Sequence, residues 1–163
     1  LDMIISTPED HVNSESMSLF QETLFICAAP DDELSQGEGP VDISALQGRE
    51  LLSLGFGHRL SVVIQMLADA AGAHVSTEYE GTSLDAMRQM SAMGAGVAIL
   101  PNPGQVVRPL RHPLATRDVS LIWRTGSPLG RDIEALGLVF RDVAMDLLDS
   151  DAFQPAARPI KRR

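Results

Sequence analysis

The stretch Glu80–Pro101, EGTSLDAMRQMSAMGAGVAILP, decides how this chain folds. Thr82 is predicted to cap a helix, and Asp85 three positions later completes a Thr-x-x-Asp capping box. Gly94 can adopt the left-handed conformation that ends a helix. The apolar residues 97–100 that follow are typical of a strand covered on both faces. The stretch therefore predicts a helix N-terminus at the edge of a parallel sheet, where an anionic or polar small molecule can bind.

The same helix also has a purely structural interpretation. Leu84, Met87 and Ser91 share one helical stripe, and a Met-rich stripe commonly packs in a core. Helix–glycine–strand units occur throughout α/β proteins. From local chemistry alone, Thr82 and Ser83 are either ligand contacts or ordinary residues at the start of a helix.

Strands and helices alternate along the rest of the chain. The patterns predict a strand over Glu50–Leu54, a helix over Leu60–Ala71 and a strand over His74–Tyr79. Met3–Ile5 is predicted to be a short buried strand, and the apolar period within residues 133–147 predicts a final amphipathic helix. This order favours an α/β protein with a largely parallel sheet.

Composition limits the classes of protein to which the chain can belong. Its 163 residues are 44% hydrophobic and 21% charged, which is typical of a globular chain with one domain or two small lobes. It has no apolar run long enough to span a membrane and no visible secretory leader. The net charge of −9 argues against direct nucleic-acid binding by this segment. The single cysteine, Cys27, is predicted to be a buried, inert thiol, and this fits a cytoplasmic location.

No constellation of residues predicts catalysis, a metal site or a cofactor. The four histidines form no HExxH pair, and the GxSxG motif of α/β-hydrolases is absent. The chain is therefore not expected to be an enzyme. His58 lies in a glycine-bearing turn ahead of the helix predicted over Leu60–Ala71, where it either binds a ligand or caps local backbone.

Seven short motifs resemble, in order and spacing, the effector-binding domain of LysR-type transcriptional regulators, and in particular its hydrogen-peroxide-sensing OxyR branch. The resemblance covers about residues 1–148. The motifs are LDMII at 1–5, LFQETL at 19–24, APxD at 29–32, LQGxELL at 46–52, GHxL at 57–60, TSLxxxRxM at 82–90 and RxGSPL at 124–129.

The resemblance implies a two-lobed fold like that of a type II periplasmic binding protein, with a ligand between the lobes. Lobe I would comprise residues 1–19 and 102–150, and lobe II residues 20–101, with 97–101 as one crossing and therefore a candidate hinge. Beyond the part of the chain that shows the resemblance, residues 151–163 contain four basic residues and one acid, a composition that predicts a basic, flexible tail. The family's DNA-binding helix-turn-helix and the first part of its lobe I would precede this chain. Lobe I is therefore expected to be incomplete at its N-terminal side, and either poorly supported or completed by another chain.

The resemblance also implies a set of effector-binding residues. The candidates are His58, Arg59, Thr82 and Ser83, with Ser6 and Thr7 after the first strand as weaker ones. Arg59 stands where the peroxide sensors carry their reactive cysteine, and Ala68 falls at the place of the partner cysteine. Disulfide switching by that route is therefore unavailable, and an arginine at this position favours a carboxylate, phosphate or sulfate.

The partners implied by the family are a small, anionic effector and further copies of the chain. We expect a homodimer or homotetramer with the helix over Leu60–Ala71 at the dimer interface, and contact with DNA only through the absent domain. That helix could instead pack only on its own sheet. The alternative function is a solute-binding protein of a transporter with the same fold, which would need a secretory signal. An enzyme on this fold is a third possibility, for which no catalytic group is visible.

Overall fold

The computed structural model describes residues 2–7, 13–55, 57–101, 107–147 and 153–155. Within these ranges the chain forms an α/β arrangement of nine strands, three α-helices and two short 3-10 helices, Glu33–Ser35 and Ile43–Leu46. The strands are β1 Met3–Ser6, β2 Ser14–Cys27, β3 Val41–Asp42, β4 Glu50–Leu54, β5 His74–Gly81, β6 Ala98–Pro101, β7 Arg108–Arg111, β8 Thr116–Arg124 and β9 Phe153–Pro155. The helices are α1 Arg59–Ala71, α2 Leu84–Ala92 and α3 Gly130–Leu147.

The chain divides into two compact units. The larger unit comprises residues 23–116, and the smaller unit comprises residues 1–22 and 117–163. Residues 107–116, assigned to lobe I from the sequence, lie in the larger unit, where β7 pairs with β2 and β3. The candidate hinge at 97–101 also lies inside the larger unit, because β6 is paired along its length with β2.

The larger unit is built on the parallel strands β4 and β5. Helix α1 packs against both strands, and α2 packs against both and against β6. The start of β6 extends this arrangement, since the Leu52 amide donates to the Val97 carbonyl at 2.8 Å and the Val97 amide donates to the Glu50 carbonyl at 2.9 Å. The expectation of a largely parallel sheet is correct only in part, because β4–β5 and β3–β7 are parallel pairs, whereas β6 and β7 both run antiparallel to β2.

Local apolar patterns correctly predicted the core of the larger unit. Residues 97–100 are all buried, and Gly94 has the positive φ of 84° expected after the end of α2. The buried residues of α1 are Leu60, Ile64, Leu67, Ala68 and Ala71. The apolar face of α1 therefore packs on its own unit, and Val62 and Met66 on the outer side remain 60% and 47% exposed.

The smaller unit contains strands β1, β8 and part of β2, with α3 packed on them. Its core consists of Met17, Leu19, Leu121, Trp123 and Ile133. The predicted burial of the first strand is wrong, since Ile4 and Ile5 are 39% and 56% exposed. Among the described strands β1 pairs only with β8, so it lies at a sheet edge. The final helix is confirmed, although Val143 on its predicted inward stripe is exposed.

The predicted C-terminal tail falls outside the described residues apart from one short strand. Phe153–Pro155 forms β9 and pairs with Phe20, Gln21 and Glu22 of β2. None of the helices within the described ranges combines the length and the apolar character needed to cross a membrane.

Candidate functional site

The carboxyl ends of β4 and β5 bring two predicted site segments to one edge of the larger unit. Leu54 pairs with Gly81 at the end of the two strands, and the Gly55 amide donates to the Gly81 carbonyl at 3.4 Å. The chain then leaves β4 toward α1 and leaves β5 toward α2. Both helix N-termini therefore begin beside the carboxyl end of a parallel strand pair, which is where open α/β sheets bind ligands.

Helix α2 is capped by Ser83 and not by Thr82, which corrects the sequence prediction. The Ser83 hydroxyl oxygen accepts a hydrogen bond from the Ala86 amide at 3.1 Å. The Thr-x-x-Asp box does not form, since the Asp85 carboxylate instead pairs with Arg88 and accepts a hydrogen bond from Gln89. Thr82 is exposed, and no hydrogen bond occupies its hydroxyl among the described residues, so this group can reach a ligand.

Helix α1 begins with two exposed side chains that can act on a ligand. His58 is the N-cap residue, but its side chain makes no capping hydrogen bond. The backbone there is held instead by Ser61, whose hydroxyl donates to the His58 carbonyl at 2.5 Å. Arg59, the first helical residue, forms no ion pair within the part of the chain that the structure describes. The first turn of α1 thus presents an imidazole and a guanidinium to solvent.

Glu80 is a residue of this edge that sequence reasoning did not single out. It precedes Gly81 in β5, is exposed, and lies beside Gly55, where an added Cβ would come within 3.2 Å of its Oε1. The pairing of Ser53 with Glu80 across the two strands brings it there. Only strand register places this carboxylate near the turn after β4, so no local pattern could have found it.

The two remaining candidates belong to the smaller unit. Ser6 ends β1, lies opposite Ser120 of β8 and is exposed, and Thr7 is half-buried. The register of β4 and β5 thus groups four of the six candidates at one edge. The role of Ser6 and Thr7 stays a prediction.

The lone cysteine lies in a setting that disfavours reaction. Cys27 is buried at the end of β2, and burial raises the pKa of its thiol to about 11, while the nearby positive charge of Arg88 acts in the opposite direction. The thiol is therefore neutral near pH 7, whereas thiolate is the reactive form. The described residues contain no group of three or more His, Cys, Asp or Glu side chains that could hold a metal ion.

Comparisons with known proteins agree on one family. The family model described as the LysR substrate binding domain matches residues 1–144. The DNA-binding transcriptional dual regulator OxyR of Escherichia coli is 32% identical over 132 residues, which are 76% of this chain and 43% of that protein. The chain thus spans less than half the length of this curated relative.

Solved structures show the same fold. The crystal structure of the oxidised form of OxyR superposes with a TM-score of 0.77 at 29% identity, covering 91% of this chain and 74% of that chain. The regulatory domain of CcmR from Synechocystis, solved in complex with 2-PG, superposes with a TM-score of 0.73 at 17% identity, covering 90% and 74% of the two chains. At this low identity, the similarity to CcmR shows only a shared fold. The fold is that of periplasmic binding proteins.

Proposed function

Because the chain belongs to the LysR substrate-binding domain family, we propose that it senses a small anionic effector for a bacterial transcriptional regulator. The effector would bind at the edge formed by the ends of β4 and β5. A helix-turn-helix elsewhere in the full regulator would contact DNA in the cytoplasm, and effector binding would shift the population between two assemblies. The relatives are transcriptional regulators and not enzymes, and the comparisons do not favour a transporter's solute-binding protein.

The observation that carries this proposal is the shared edge of His58, Arg59, Thr82 and Ser83. The Leu54–Gly81 pairing makes the turn after β4 the neighbour of the turn after β5. A guanidinium gives a fork of N–H donors that matches a carboxylate or phosphate, and a helix N-terminus adds partial positive charge. Thr82 adds a hydroxyl that the helix cap does not use.

The charge of Glu80 at the same edge affects which anions can bind there. Its carboxylate adds a negative charge next to the turn that precedes His58 and Arg59. Like charges repel, so this carboxylate disfavours multiply charged ligands. It can accept a hydrogen bond from a hydroxyl on the effector. We therefore propose a singly charged organic acid that carries a hydroxyl or an amide donor.

Thiol-based peroxide sensing does not fit this chain. In the family resemblance Arg59 and Ala68 take the places of the two redox cysteines. The only cysteine in the sequence is Cys27, whose buried thiol has a raised pKa. A sensor cysteine needs an exposed thiol of low pKa, so a reversibly bound effector is the more consistent signal.

We further propose that the regulator is a homodimer or homotetramer and that the outer face of α1 contributes to the interface. Val62 and Met66 lie exposed on this face, beside the exposed Gln65. Sedimentation of the full regulator carrying either Val62→Glu or Met66→Glu should show a smaller assembly than the parent. A Gln65→Glu control adds the same single charge to the helix without removing an apolar side chain. Equal assembly of the parent and of all three variants would rule out this interface.

The effector proposal is tested by a calorimetric and thermal-shift screen of small organic acids on the full regulator. Arg59→Ala should weaken binding of each hit by about tenfold or more, because a charge-assisted hydrogen bond is worth about 1.5–3 kcal/mol. Arg111→Ala is the matched control, since Arg111 is an exposed arginine of the same unit on strand β7. The proposed role of the arginine is wrong if Arg59→Ala binds every hit as well as the parent.

A further inference from the structure

A small cavity opens in the larger unit near the amino end of β4, opposite the end of the strands where the effector is proposed to bind. It has a volume of about 40 Å³ and lies between the end of β2, helix α2 and the start of β7. The polar side chains in its wall are Cys27, Ser35, Arg88 and Arg108. Among the described residues, the wall thus contains two arginines and no carboxylate.

The strand register separates this cavity from the proposed effector edge. Cys27 pairs with Ala98 at the start of β6, and the neighbouring Val97 is level with Leu51 near the start of β4. His58 and Arg59 follow the other end of β4. The two places are thus at opposite ends of the strands, and the inference below does not depend on the proposed effector site.

Arg108 carries a charge that no side chain of the described ranges neutralises. Its three hydrogen bonds go to backbone carbonyls, at 2.7 Å to Gln36, 3.0 Å to Gly39 and 3.5 Å to Glu38. A carbonyl is a neutral acceptor, so these bonds hold the guanidinium in place without cancelling its charge. Since a guanidinium has five N–H donors, two remain after these three bonds.

Arg88 brings a second positive charge to the same cavity. It forms an ion pair with Asp85, one helical turn earlier, outside the cavity wall. Its charge reaches into the cavity, because it acts on the thiol of Cys27 and opposes the effect of burial on the pKa of that thiol. Arg88 and Arg108 therefore both contribute positive charge to this small space, in a chain with a net charge of −9.

The larger cavity of this unit, of about 200 Å³, has a different charge balance. Its only arginine is Arg49, which pairs with Asp32 and, at 3.5 Å, with Glu33. Glu50 in the same wall adds a further carboxylate. This larger cavity therefore does not share the excess of positive charge that Arg88 and Arg108 give to the smaller one.

We propose that the cavity between Arg88 and Arg108 binds a single oxyanion of the size of inorganic phosphate or sulfate. The volume holds a few water-sized groups and excludes an organic acid of several carbon atoms. Guanidinium groups bind phosphate oxygens through paired N–H donors. The ion would link helix α2 to the loop at residues 36–39, which Arg108 already holds. It is either a free ion or the phosphate end of a larger molecule that extends into solvent.

Cys27 gives a local readout of this site, because it is the only cysteine of the sequence and lies in the cavity wall. Its rate of modification by a small methanethiosulfonate would be measured at pH 8 against increasing inorganic phosphate, with sodium chloride keeping the ionic strength constant. A bound anion covers the thiol and disfavours thiolate, so the rate should fall by severalfold and then reach a plateau. A rate that does not respond to phosphate overturns the proposal.

Substitutions of Arg88 and Arg108 test whether these two residues cause the protection of Cys27 by phosphate. Arg88→Gln should weaken the apparent phosphate affinity by about tenfold or more, the usual effect of losing a charge-assisted hydrogen bond. Arg108→Lys keeps the charge and loses the fork, and it is the second test in case Arg88→Gln folds poorly, because it leaves helix α2 unchanged. Arg111→Gln and Arg59→Gln should respond like the parent. An unchanged response in Arg88→Gln and Arg108→Lys, or a loss in Arg59→Gln, overturns the proposal. A sugar phosphate that protects Cys27 at lower concentration than phosphate would identify the larger molecule as the source.

Discussion

Replacement of Ser91 by alanine tests how helix α2 is fixed to the sheet. Ser91 is fully buried, and its hydroxyl donates a 2.6 Å hydrogen bond to the carbonyl of Cys27 at the end of β2. The alanine variant leaves this buried carbonyl without that donor, at a cost of about 1–3 kcal/mol in the free energy of unfolding. For a protein of this size the melting temperature should fall by about 2–10 °C.

Ser61→Ala is the matched control for this measurement. Ser61 also donates to a backbone carbonyl, that of His58 at 2.5 Å, but this bond is exposed, so water can replace it. Urea titration of the two variants and the parent, followed by circular dichroism, gives the three free energies of unfolding. We expect Ser91→Ala to be less stable than Ser61→Ala by at least about 1 kcal/mol. Equal stability of the two variants would refute the argument that the buried bond anchors α2.

Three further predictions concern the effector edge and the cysteine. Glu80→Gln should raise the affinity for an anionic hit that has no hydroxyl or amide donor about two- to fivefold in calorimetry, because it removes a like charge, and an unchanged affinity would place the ligand elsewhere. Gly81→Ala should lower the free energy of unfolding by about 1–3 kcal/mol, since the new Cβ would lie 2.4 Å from Cγ of the buried Met87, whereas Gly55→Ala meets only the exposed end of Glu80 and should cost less. The alkylation rate of Cys27 should still rise between pH 9 and 11, because the thiol with its pKa of about 11 loses its proton only in that range, and a plateau near pH 9 would contradict the effect of burial.

Local patterns predicted those features of the fold that depend on neighbouring residues. The apolar period of α1, the covered strand at 97–100 and the left-handed Gly94 are each decided within one or two turns of chain. The choice of Ser83 over Thr82 as the cap was not predictable in this way. Both residues carry a hydroxyl, and the start of α2 depends on where β5 ends, which the pairing of Leu54 with Gly81 decides.

Features that depend on distant parts of the chain were beyond local reasoning. The exposure of Ile4 and Ile5 follows from the lack of a second strand beside β1 among those described. The setting of Arg108 depends on carbonyls about 70 residues earlier in the sequence. At the effector edge, the family resemblance selected the residue types, and the β4–β5 register brought four of them together.

The position of β6 between β2 and β4 has a consequence for folding during synthesis. The apolar end of β2, residues 24–27, pairs with residues 98–101, so more than seventy further residues must leave the ribosome before its partner exists. Contacts between residues so far apart in the sequence form slowly. Apolar strands are prone to aggregate until their partner strand has been synthesised and has paired with them. The nascent chain should therefore be most dependent on chaperones between the synthesis of β2 and that of β6, and a fragment that ends before residue 98 should accumulate in insoluble form.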